Sequence, residues 1–375
     1  MHVLAAIVLA IWIAALIQTL ANLRTVPRLR AGRAPKNRPL VSIVIPARNE
    51  ARIIERSVRA FLAQDYDDFE VIVVNDRSTD ATGEILHSFT DPRLTVIDGS
   101  ETPAGWLGKP WALEQATARA RGELLLIVDA DLIYAPAALR AAVAELEFEE
   151  AGMITLLPRF EMGSFGEQVG MPMLAFVALC MLPLWRANRS RSSRLALGGG
   201  SGILIRRTVF ETIDGFRALK SAVVDDVGLA RHVREHGETT HAVLADDLVA
   251  VRMYYSGGEL VEGFTKNIFM VLGRNYFFGA VALLLLVMLH LMPYALAFTG
   301  DALGIAIVAV ITLTRVILFR SLRYSLLNAI FLHPLMVSFW AYIFLRSMWI
   351  TGVRNELRWR GRVYDAAATR FGAEQ

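Results

Sequence analysis

The stretch "LLLIVDADLIYAP", residues 124–136, opens on five apolar residues and then places two carboxylates, Asp129 and Asp131, one residue apart. A short, continuous apolar run is typical of a strand that is buried on both faces of a sheet. A buried carboxylate is costly unless a cation meets it, so we expect both acids at the open end of this strand. At strand spacing the two side chains would point the same way and could share Mg²⁺ or Mn²⁺. A solvated turn after a strand is the alternative interpretation of this motif.

The surrounding residues, from about 38 to 150, alternate between the same kind of run and amphipathic segments. The pattern predicts strands at 41–46, 70–74, 93–97 and 123–128, and helices at 51–64, 79–89, 109–120 and 136–150. This alternation favours an α/β fold with a mostly parallel sheet and helices on both faces. Ligands of such sheets bind beyond the carboxyl ends of the strands. Asp76, which follows the second strand, should therefore lie at the same edge as Asp129 and Asp131.

Both ends of the chain are strongly apolar, although 20% of all residues are charged. Residues 1–22, 275–300 and 324–345 contain no Lys, Arg, Asp or Glu, and 302–319 is interrupted only by Arg315. A membrane-spanning helix needs about 20 residues. We therefore predict transmembrane helices at both ends: an anchor at 1–22 and a C-terminal membrane region at 275–350. The anchor lacks the flanks of a cleaved signal peptide.

The membrane region at 275–350 is predicted to contain two spans followed by a third element. A full crossing by 324–345 would export the basic tail at 351–375, against the positive-inside tendency. His333 and Pro334 lie in the middle of that segment and could break it into a re-entrant hairpin, which we favour over a third span.

Charge indicates the orientation. Residues 24–38 carry six Arg or Lys and no acid, which places this flank in the cytoplasm by the positive-inside rule. The net charge is only +3, and basic residues gather beside apolar segments, so anionic lipid is a better partner than nucleic acid. We expect a multi-pass protein of the cytoplasmic (inner) membrane, with residues 38–240 as a cytoplasmic domain.

The single cysteine, Cys180, excludes an internal disulfide framework, and no pattern indicates an oligomeric state.

The run at 168–185 is also uncharged and is followed by "RANRSRSSR". A crossing here would put Asp129 and the later pair Asp225–Asp226 on opposite sides of the membrane. We therefore predict that 168–190 is an amphipathic segment in the interface, with its arginines at the headgroups. Residues 241–274 are expected to form a second interfacial segment on the acceptor side.

Five further motifs carry polar or glycine-rich residues, and each has a structural alternative. They are "PARNE" (46–50) and "VVNDRSTD" (73–80), "GWLGKPWA" (105–112) with Lys109, "LGGGSGILIRR" (197–207), and "AVVDDVGLARHVREHG" (222–237) with Asp225 and Asp226. Asp80 or Thr79 is an ordinary helix cap, and acids at the start of a helix are ordinary partners of its dipole. Lys109 could meet a diphosphate or lie on the surface. The glycines allow close approach of a ligand or form a connector; the strand-like "ILIRR" behind them favours an ordered loop.

The motifs "PARNE", "VVNDRSTD", "GKPWAL", "VDAD", "GGGSGILIRR" and "VVDDVGLARHVREHG", in this order, resemble family-two glycosyltransferases of the GT-A fold. The flanking membrane segments are similar to those of lipid glycosyltransferases, such as ceramide glucosyltransferase and bacterial enzymes acting on hopanoids or carotenoids. The basic tail "LRWRGRVYD" resembles a motif found in several of these.

The resemblance implies a role for each matching residue. Pro46, Arg48, Glu50 and Asp76 would line the uridine pocket, Lys109 would lie near the donor, and Asp129 would face the ribose or sugar. Asp131, with Asp129, would bind Mg²⁺ or Mn²⁺, and Asp226 would be the general base, with Asp225 beside it. Gly199, Gly200, Ser201 and Phe264 would lie on the acceptor side. The family's Q-x-x-R-W motif is missing, since "GGELVEGFTKN" stands at 257–267.

We therefore expect an inverting glycosyltransferase that moves a sugar from a UDP-sugar to a membrane lipid acceptor. A polysaccharide synthase would share the core but need more spans and the missing Arg-Trp pair. A nucleotide-dependent oxidoreductase is disfavoured because "PARNE", and no G-x-G-x-x-G, follows the first strand. A non-catalytic membrane scaffold on the same fold would have lost some of the acids, but Asp76, Asp129, Asp131 and Asp226 are all present.

Overall fold

The computed structural model describes residues 2–222, 224–266, 268–359 and 362–365, and side chains up to Asn355. The helices are α1 His2–Thr25, α2 Ile54–Leu62, α3 Thr82–His87, α4 Gly108–Thr117, α5 Ala138–Phe148, α6 Phe165–Gly170, α7 Pro172–Phe176, α8 Leu184–Ala187, α9 Arg207–Thr212, α10 Asp225–Glu235, α11 Gly257–Thr265, α12 Ile268–Val271, α13 Tyr276–Leu286, α14 Met292–Phe298, α15 Ala302–Ser321, α16 Leu326–Phe331 and α17 His333–Ser347. Single turns of 3₁₀ helix occur at Ser193–Leu195 and Arg217–Leu219, and π-helical turns occur at Val177–Met181, Val287–Leu291 and Met348–Val353.

The strands are β1 Val41–Ala47, β2 Phe69–Asn75, β3 Leu94–Asp98, β4 Leu124–Ile127, β5 Leu132–Tyr134, β6 Met153–Leu157, β7 Arg159–Phe160, β8 Ile203–Arg206, β9 Thr240–Leu244, β10 Val249–Val251, β11 Glu356–Trp359 and β12 Arg362–Asp365. The last two pair as an antiparallel hairpin within the predicted basic tail. Residues 366–375 of that tail lie outside the described residues.

The described residues fall into two compact units. The sheet unit contains Pro27–Glu161 and Arg186–Met253, and the helical unit contains the N-terminal residues up to Val26, Met162–Trp185 and the described residues from Tyr254 onward.

The sheet unit is built on seven strands in the order β3-β2-β1-β4-β8-β6-β9. All neighbouring pairs are parallel except those of β8, which runs antiparallel to both β4 and β6. The first four strands and the helices between them match the sequence prediction. Strand β8 runs the other way because the loop before it lies at the carboxyl end of β4, where Asp129 N–H donates to the Gly200 carbonyl at 2.8 Å. A strand that enters the sheet from that edge must run opposite to β4.

Apolar side chains cover both faces of this sheet, as the uninterrupted strand sequences predict. On one face Ile43 and Ile45 of β1 pack in a cluster with residues of α2, α3 and α5. On the other face Val44 lies in a separate cluster with residues of α4, α9 and α10. The prediction of an α/β fold with helices on both faces is therefore confirmed.

The helical unit contains four helices that are long and apolar enough to cross a membrane. They are His2–Thr25, Tyr276–Phe298, Ala302–Ser321 and His333–Val353. Pro334 lies in the first turn of the last helix, where its missing N–H has no partner to lose, and not in the middle of a span. The break that the sequence predicts at this proline is the start of a 21-residue helix. The re-entrant hairpin over 324–345 stays a prediction.

Arg315, the one charge inside 302–319, is fully buried within the helical unit. Its guanidinium donates to the carbonyls of Ala329 and Asn328, at 2.9 and 3.0 Å. Both carbonyls belong to the last turn of α16, and that of Asn328 also accepts from Leu332 N–H at 3.1 Å. The arginine therefore acts as a side-chain cap of a short helix, and its aliphatic and planar surfaces pack against apolar neighbours such as Phe319.

Asn22 likewise forms hydrogen bonds with backbone groups, here in the segment 168–190 that is predicted to lie in the interface. The apolar helical stretch Phe165–Met181 is 17 residues long, and the chain then breaks before α8. Asn22, fully buried in α1, donates to the carbonyls of Leu179 and Leu182 and accepts from Trp185 N–H, all within 2.8–2.9 Å. One amide side chain thus satisfies three backbone groups at this break. The interfacial placement of 168–190 stays a prediction.

Replacing Asn22 should destabilise the helical unit. The Asn22→Ala variant removes the partner of the Leu179 carbonyl and of Trp185 N–H, whereas the Leu182 carbonyl keeps Leu184 N–H. Each buried group left without a partner costs about 1–3 kcal/mol. We expect the free energy of unfolding to fall by about 2 kcal/mol or more, measured as thermal unfolding in detergent micelles. The control is Ile17→Ala, which truncates a side chain that is 61% exposed on the same helix. Equal unfolding temperatures for the two variants would contradict the capping role.

Candidate active site

The loops after β1 and β2 are tied together at the carboxyl edge of the sheet. Asp76 N–H donates to the Ala47 carbonyl at 2.7 Å, and Arg48 Nη1 donates to the Asp76 carbonyl at 2.6 Å. Asp76 is buried, with 3% of its surface exposed. Pro46 lies beyond Val44, the last residue of β1 that pairs with β4, so its missing N–H interrupts no hydrogen bond on that side. Pro46, Arg48 and Asp76 therefore lie close together at this edge, and the nucleotide pocket that they are expected to line stays a prediction.

Asn49 and Glu50 complete the connection between these loops. Asn49 adopts a left-handed conformation (φ 53°), and its side-chain oxygen accepts from Thr79 N–H at 2.8 Å. Glu50 N–H donates to Thr82 Oγ1 at 2.8 Å. Asp80 accepts from Thr82 and from Ala51 N–H. Burial acts to raise the pKa of Asp80, but these hydrogen bonds outweigh it and lower the pKa. The sequence predicts Asp80 or Thr79 as the cap of α3, but the N-cap position is Ala81 and has no side-chain cap hydrogen bond. Asp80 instead links Thr82, the first residue of α3, to the loop after β1.

Asp129 and Asp131 lie in the turn between two strands. Strand β4 ends at Ile127 and β5 begins at Leu132, and both carboxylates are partly exposed. Strand alternation, on which the sequence argument for a shared side relied, does not extend through this turn. The acids are nevertheless at the carboxyl end of β4, on the same edge as Asp76.

Lys109 connects the turn to a second acidic group. It is the second residue of α4, and its Nζ lies 2.8 Å from Asp129 Oδ1 and 3.4 Å from Asp225 Oδ1. The lysine side chain is only 22% exposed, so these pairs are poorly screened by water. Burial acts to lower the pKa of Lys109, but the charges of Asp129, Asp225 and Asp226 outweigh it and raise the pKa. The surface alternative for this lysine is therefore wrong.

The adjacent acids at the start of α10 differ in their surroundings. Asp225 is buried, and burial raises its pKa; Asp226 and Asp129 raise it further, whereas Lys109 acts against them. Asp226 is partly exposed, and its Oδ1 accepts from Val227 N–H at 2.7 Å. Both carboxylates lie in the first turn, where the helix dipole favours negative charge. Only Asp225 is in contact with Lys109.

The glycine loop, residues 197–202, is packed closely against these acids. A Cβ on Gly200 would lie 2.1 Å from Asp129 Oδ2, and one on Gly198 would lie 1.9 Å from the Asp226 carbonyl oxygen. Gly199 has room for a side chain, since its nearest neighbour, Ser201 Oγ, would be 3.6 Å away. Ser201 Oγ donates to the Leu156 carbonyl at 2.6 Å. The loop is ordered by close contact, as the following strand predicts.

Tyr134 is a residue that the sequence argument missed. Its hydroxyl donates to the Ser201 carbonyl at 2.8 Å and so fixes the glycine loop from β5. The sequence did contain a signal, because a tyrosine within the apolar stretch 124–136 is expected to be buried and then needs a hydrogen-bond partner for its hydroxyl. Phe264, by contrast, belongs to the helical unit, where its ring packs against Trp340 and Tyr254 at 4.7 and 5.4 Å between centroids.

A narrow cleft lies between the acids and the apolar end of the sheet. Its walls are formed by Lys109, Ile127, Val128, Asp129, Gly200, Ile203, Phe216, Asp225, Asp226 and Leu229. The cleft thus combines one cation with three carboxylates and an apolar wall. Phe216, on that wall, carried no recognisable signal in the sequence.

The residues fit a hard divalent cation that is shared with a ligand. Among the described side chains, no group of three or more His, Cys, Asp or Glu could hold a metal ion. Asp129 and Asp131 can provide two carboxylates, so the other ligands would be water and phosphate oxygens. Mg²⁺ and Mn²⁺ are commonly bound in this way, by one or two carboxylates with substrate phosphates.

Residues 42–214 match the family model described as glycosyl transferase family 2. The chain is 23% identical over 353 residues to 4,4'-diaponeurosporenoate glycosyltransferase of Staphylococcus aureus (strain MRSA252), covering 90% of this chain and 92% of that protein. It is 27% identical over 221 residues to a probable glycosyltransferase, YdaM, of Bacillus subtilis (strain 168), covering 57% of this chain and 50% of the relative.

A solved structure with a similar fold is mannosyltransferase PcManGT from Pyrobaculum calidifontis in complex with GDP-Man and Mn²⁺. The TM-score is 0.56 at 21% identity, over 93% of this chain and 99% of that one. The family match at 42–214 includes the loops after β1 and β2, the turn that holds Asp129 and Asp131, and the glycine loop. The chain is therefore a glycosyltransferase, and its residues 42–214 form a family-two domain with the GT-A fold.

Proposed function

We propose that this enzyme transfers a sugar from a nucleoside diphosphate sugar, expected to be a UDP-sugar, to a membrane lipid, with inversion at the anomeric carbon. The observation that carries the proposal is the cleft in which Lys109 faces Asp129, Asp225 and Asp226 at the carboxyl edge of the sheet. It is supported by the apolar helices of the helical unit and by the relative whose name gives a diaponeurosporenoate acceptor.

The donor would bind along the loops that follow β1 and β2. Asp76 would accept hydrogen bonds from the nucleobase, and Arg48 donates to its backbone carbonyl. Pro46 and Glu50 would line the same pocket. Lys109, the only cationic side chain among the described lining residues of the cleft, would approach the diphosphate.

Asp131 and Asp129 would hold Mg²⁺ or Mn²⁺ together with the donor phosphates. When bound, this cation would stabilise the negative charge that develops on the leaving nucleoside diphosphate. The Gly200 carbonyl accepts from Asp129 N–H, and only glycine allows this contact because a Cβ at position 200 would collide with the carboxylate. The turn between β4 and β5 thus presents two carboxylates without the strain of burying either one.

Asp226 would be the general base that takes the proton of the acceptor hydroxyl or carboxyl group. Asp226 is the more accessible of the two adjacent acids. Of the two, Asp225 is the one that lies within salt-bridge distance of Lys109. Asp225 would therefore position the Lys109 ammonium beside Asp129. Attack from the face opposite the leaving group gives inversion.

The acceptor would be held at the bilayer by the helical unit. Val177, Met181, Leu182 and Trp185 expose apolar surface in and after the Phe165–Met181 stretch, as an interfacial segment requires. Phe264 and residues 241–274 are expected on the acceptor side, with Gly199, Gly200 and Ser201 at the edge of the cleft. The basic flank at 24–38 favours a catalytic domain on the cytoplasmic side of the inner membrane.

Transfer of labelled sugar should be measured first, with purified protein in native lipid extract, a panel of UDP- and GDP-sugars, and Mn²⁺ or Mg²⁺. We expect one donor to give a product that partitions into organic solvent, and chelation by EDTA to abolish it. Turnover of a donor only to free sugar or to a water-soluble polymer would contradict the lipid acceptor. If none of the donors is turned over and UDP and GDP do not bind, the proposal fails.

The Asp226→Asn variant tests the general base. General base catalysis contributes about 10²–10⁴-fold, so turnover should fall by that factor while the dissociation constant of the nucleotide changes little. Both are measured on the same preparation, by transfer assay and calorimetry. Asp214→Asn, at an acid that is 68% exposed in the same unit, is the matched control and should keep full turnover. A nucleotide affinity that falls as steeply as turnover would contradict the assignment.

The Asp131→Ala variant tests the cation site. Nucleotide binding should become about tenfold weaker in the presence of Mn²⁺ and should no longer depend on the cation, because one of two protein carboxylates is lost. Calorimetric titration with UDP and GDP, with and without Mn²⁺, measures this directly. An unchanged dependence on Mn²⁺ would refute the role of Asp131.

A further inference from the structure

The contact between Lys109 and Asp129 has a consequence for cation binding. Asp129 Oδ1 accepts from the lysine ammonium at 2.8 Å, and its other oxygen, Oδ2, faces the backbone of Gly200. Placing a divalent cation on Oδ1 while the ammonium stays there would bring two positive centres within a few ångströms of each other. Like charges at this separation repel, and the repulsion is only partly screened because the Lys109 side chain is 22% exposed.

The carboxylate cannot easily move to avoid this conflict. Asp129 N–H is bonded to the Gly200 carbonyl at 2.8 Å, and the glycine loop closes against Oδ2. The loop is itself held by the Tyr134 hydroxyl through Ser201. Asp129 is therefore the fixed partner of the pair, and Lys109, on a flexible four-carbon side chain, is the partner that can leave.

Asp225 offers the lysine a second contact that does not involve Asp129. Its Oδ1 lies 3.4 Å from Lys109 Nζ, and the carboxylate is buried at the start of α10. A small shift of the ammonium toward Asp225 or toward a bound phosphate would free Asp129 Oδ1 without leaving the positive charge unpaired.

We propose that Lys109 is an exchangeable internal counter-ion of Asp129, so that the divalent cation and the nucleoside diphosphate bind cooperatively. This inference rests on the proposed function, because it assumes that Asp129 takes part in cation binding. Without a diphosphate the ammonium competes with the cation for Asp129 Oδ1. A diphosphate draws the ammonium away, supplies further oxygen ligands and lets the cation bind. Linkage requires each of the two ligands to raise the affinity for the other by the same factor.

The test is the affinity for Mn²⁺ in the absence of nucleotide, followed by the electron paramagnetic resonance signal of free Mn²⁺. We expect Lys109→Met to bind Mn²⁺ about tenfold or more tightly than the unmodified protein, because the competing ammonium is gone. The increase that UDP or GDP produces in Mn²⁺ affinity should shrink accordingly. Lys36→Met, which removes the same charge at an exposed position of the same unit, should behave as the unmodified protein.

The double variant Lys109→Met with Asp225→Asn separates direct competition from net charge, and it avoids an unpaired buried acid if the single variant is unstable. It removes one positive and one negative charge, so the local net charge is preserved. Tighter Mn²⁺ binding in this variant supports competition at Asp129, whereas an affinity equal to that of the unmodified protein overturns it. Unchanged Mn²⁺ affinity in Lys109→Met, with nucleotide-dependent Mn²⁺ binding intact, overturns the inference alone. Absence of Mn²⁺ binding in every variant, even with nucleotide, overturns the proposed cation site as well.

Discussion

The ammonium group of Lys109 holds together carboxylates from two distant parts of the chain. Asp129 follows β4, and Asp225 begins α10 after the polypeptide has passed through β6, β8 and the glycine loop. Without a cation between them these acids would repel one another in a poorly solvated cleft. The lysine therefore makes the acidic cleft compatible with a folded sheet unit. It also keeps the acids at the edge where a parallel sheet binds its ligands.

The reversed strand β8 explains how the glycine loop reaches the acids. A strand parallel to β4 would enter the sheet from the opposite edge and would carry its preceding loop away from Asp129. Because β8 runs antiparallel, residues 197–202 lie beside the β4–β5 turn, and only glycine fits at Gly198 and Gly200. The strand direction brings the loop against the acids, and the glycines leave enough room for that close contact. Gly199, which faces more open space, is not subject to it.

Much of this arrangement follows from the sequence because it depends on local patterns. Buried apolar runs and amphipathic helices predict β1–β4 and α2–α5, and the acids at the ends of those strands must then meet at one edge. The direction of β8 could not be predicted, because an isolated four-residue strand carries no sign of its orientation. The difference between Asp225 and Asp226 was equally hidden. Adjacent acids at a helix start look alike until the fold determines which one faces Lys109.

In the helical unit, too, buried polar side chains are paired with groups from distant parts of the chain. Asn22 and Arg315 interrupt apolar sequence, and each satisfies backbone groups where a neighbouring helix ends. Away from water such groups have few other partners, so broken helices at membrane depth require polar side chains from adjacent helices. At such a break the apolar stretch Phe165–Met181 ends after 17 residues.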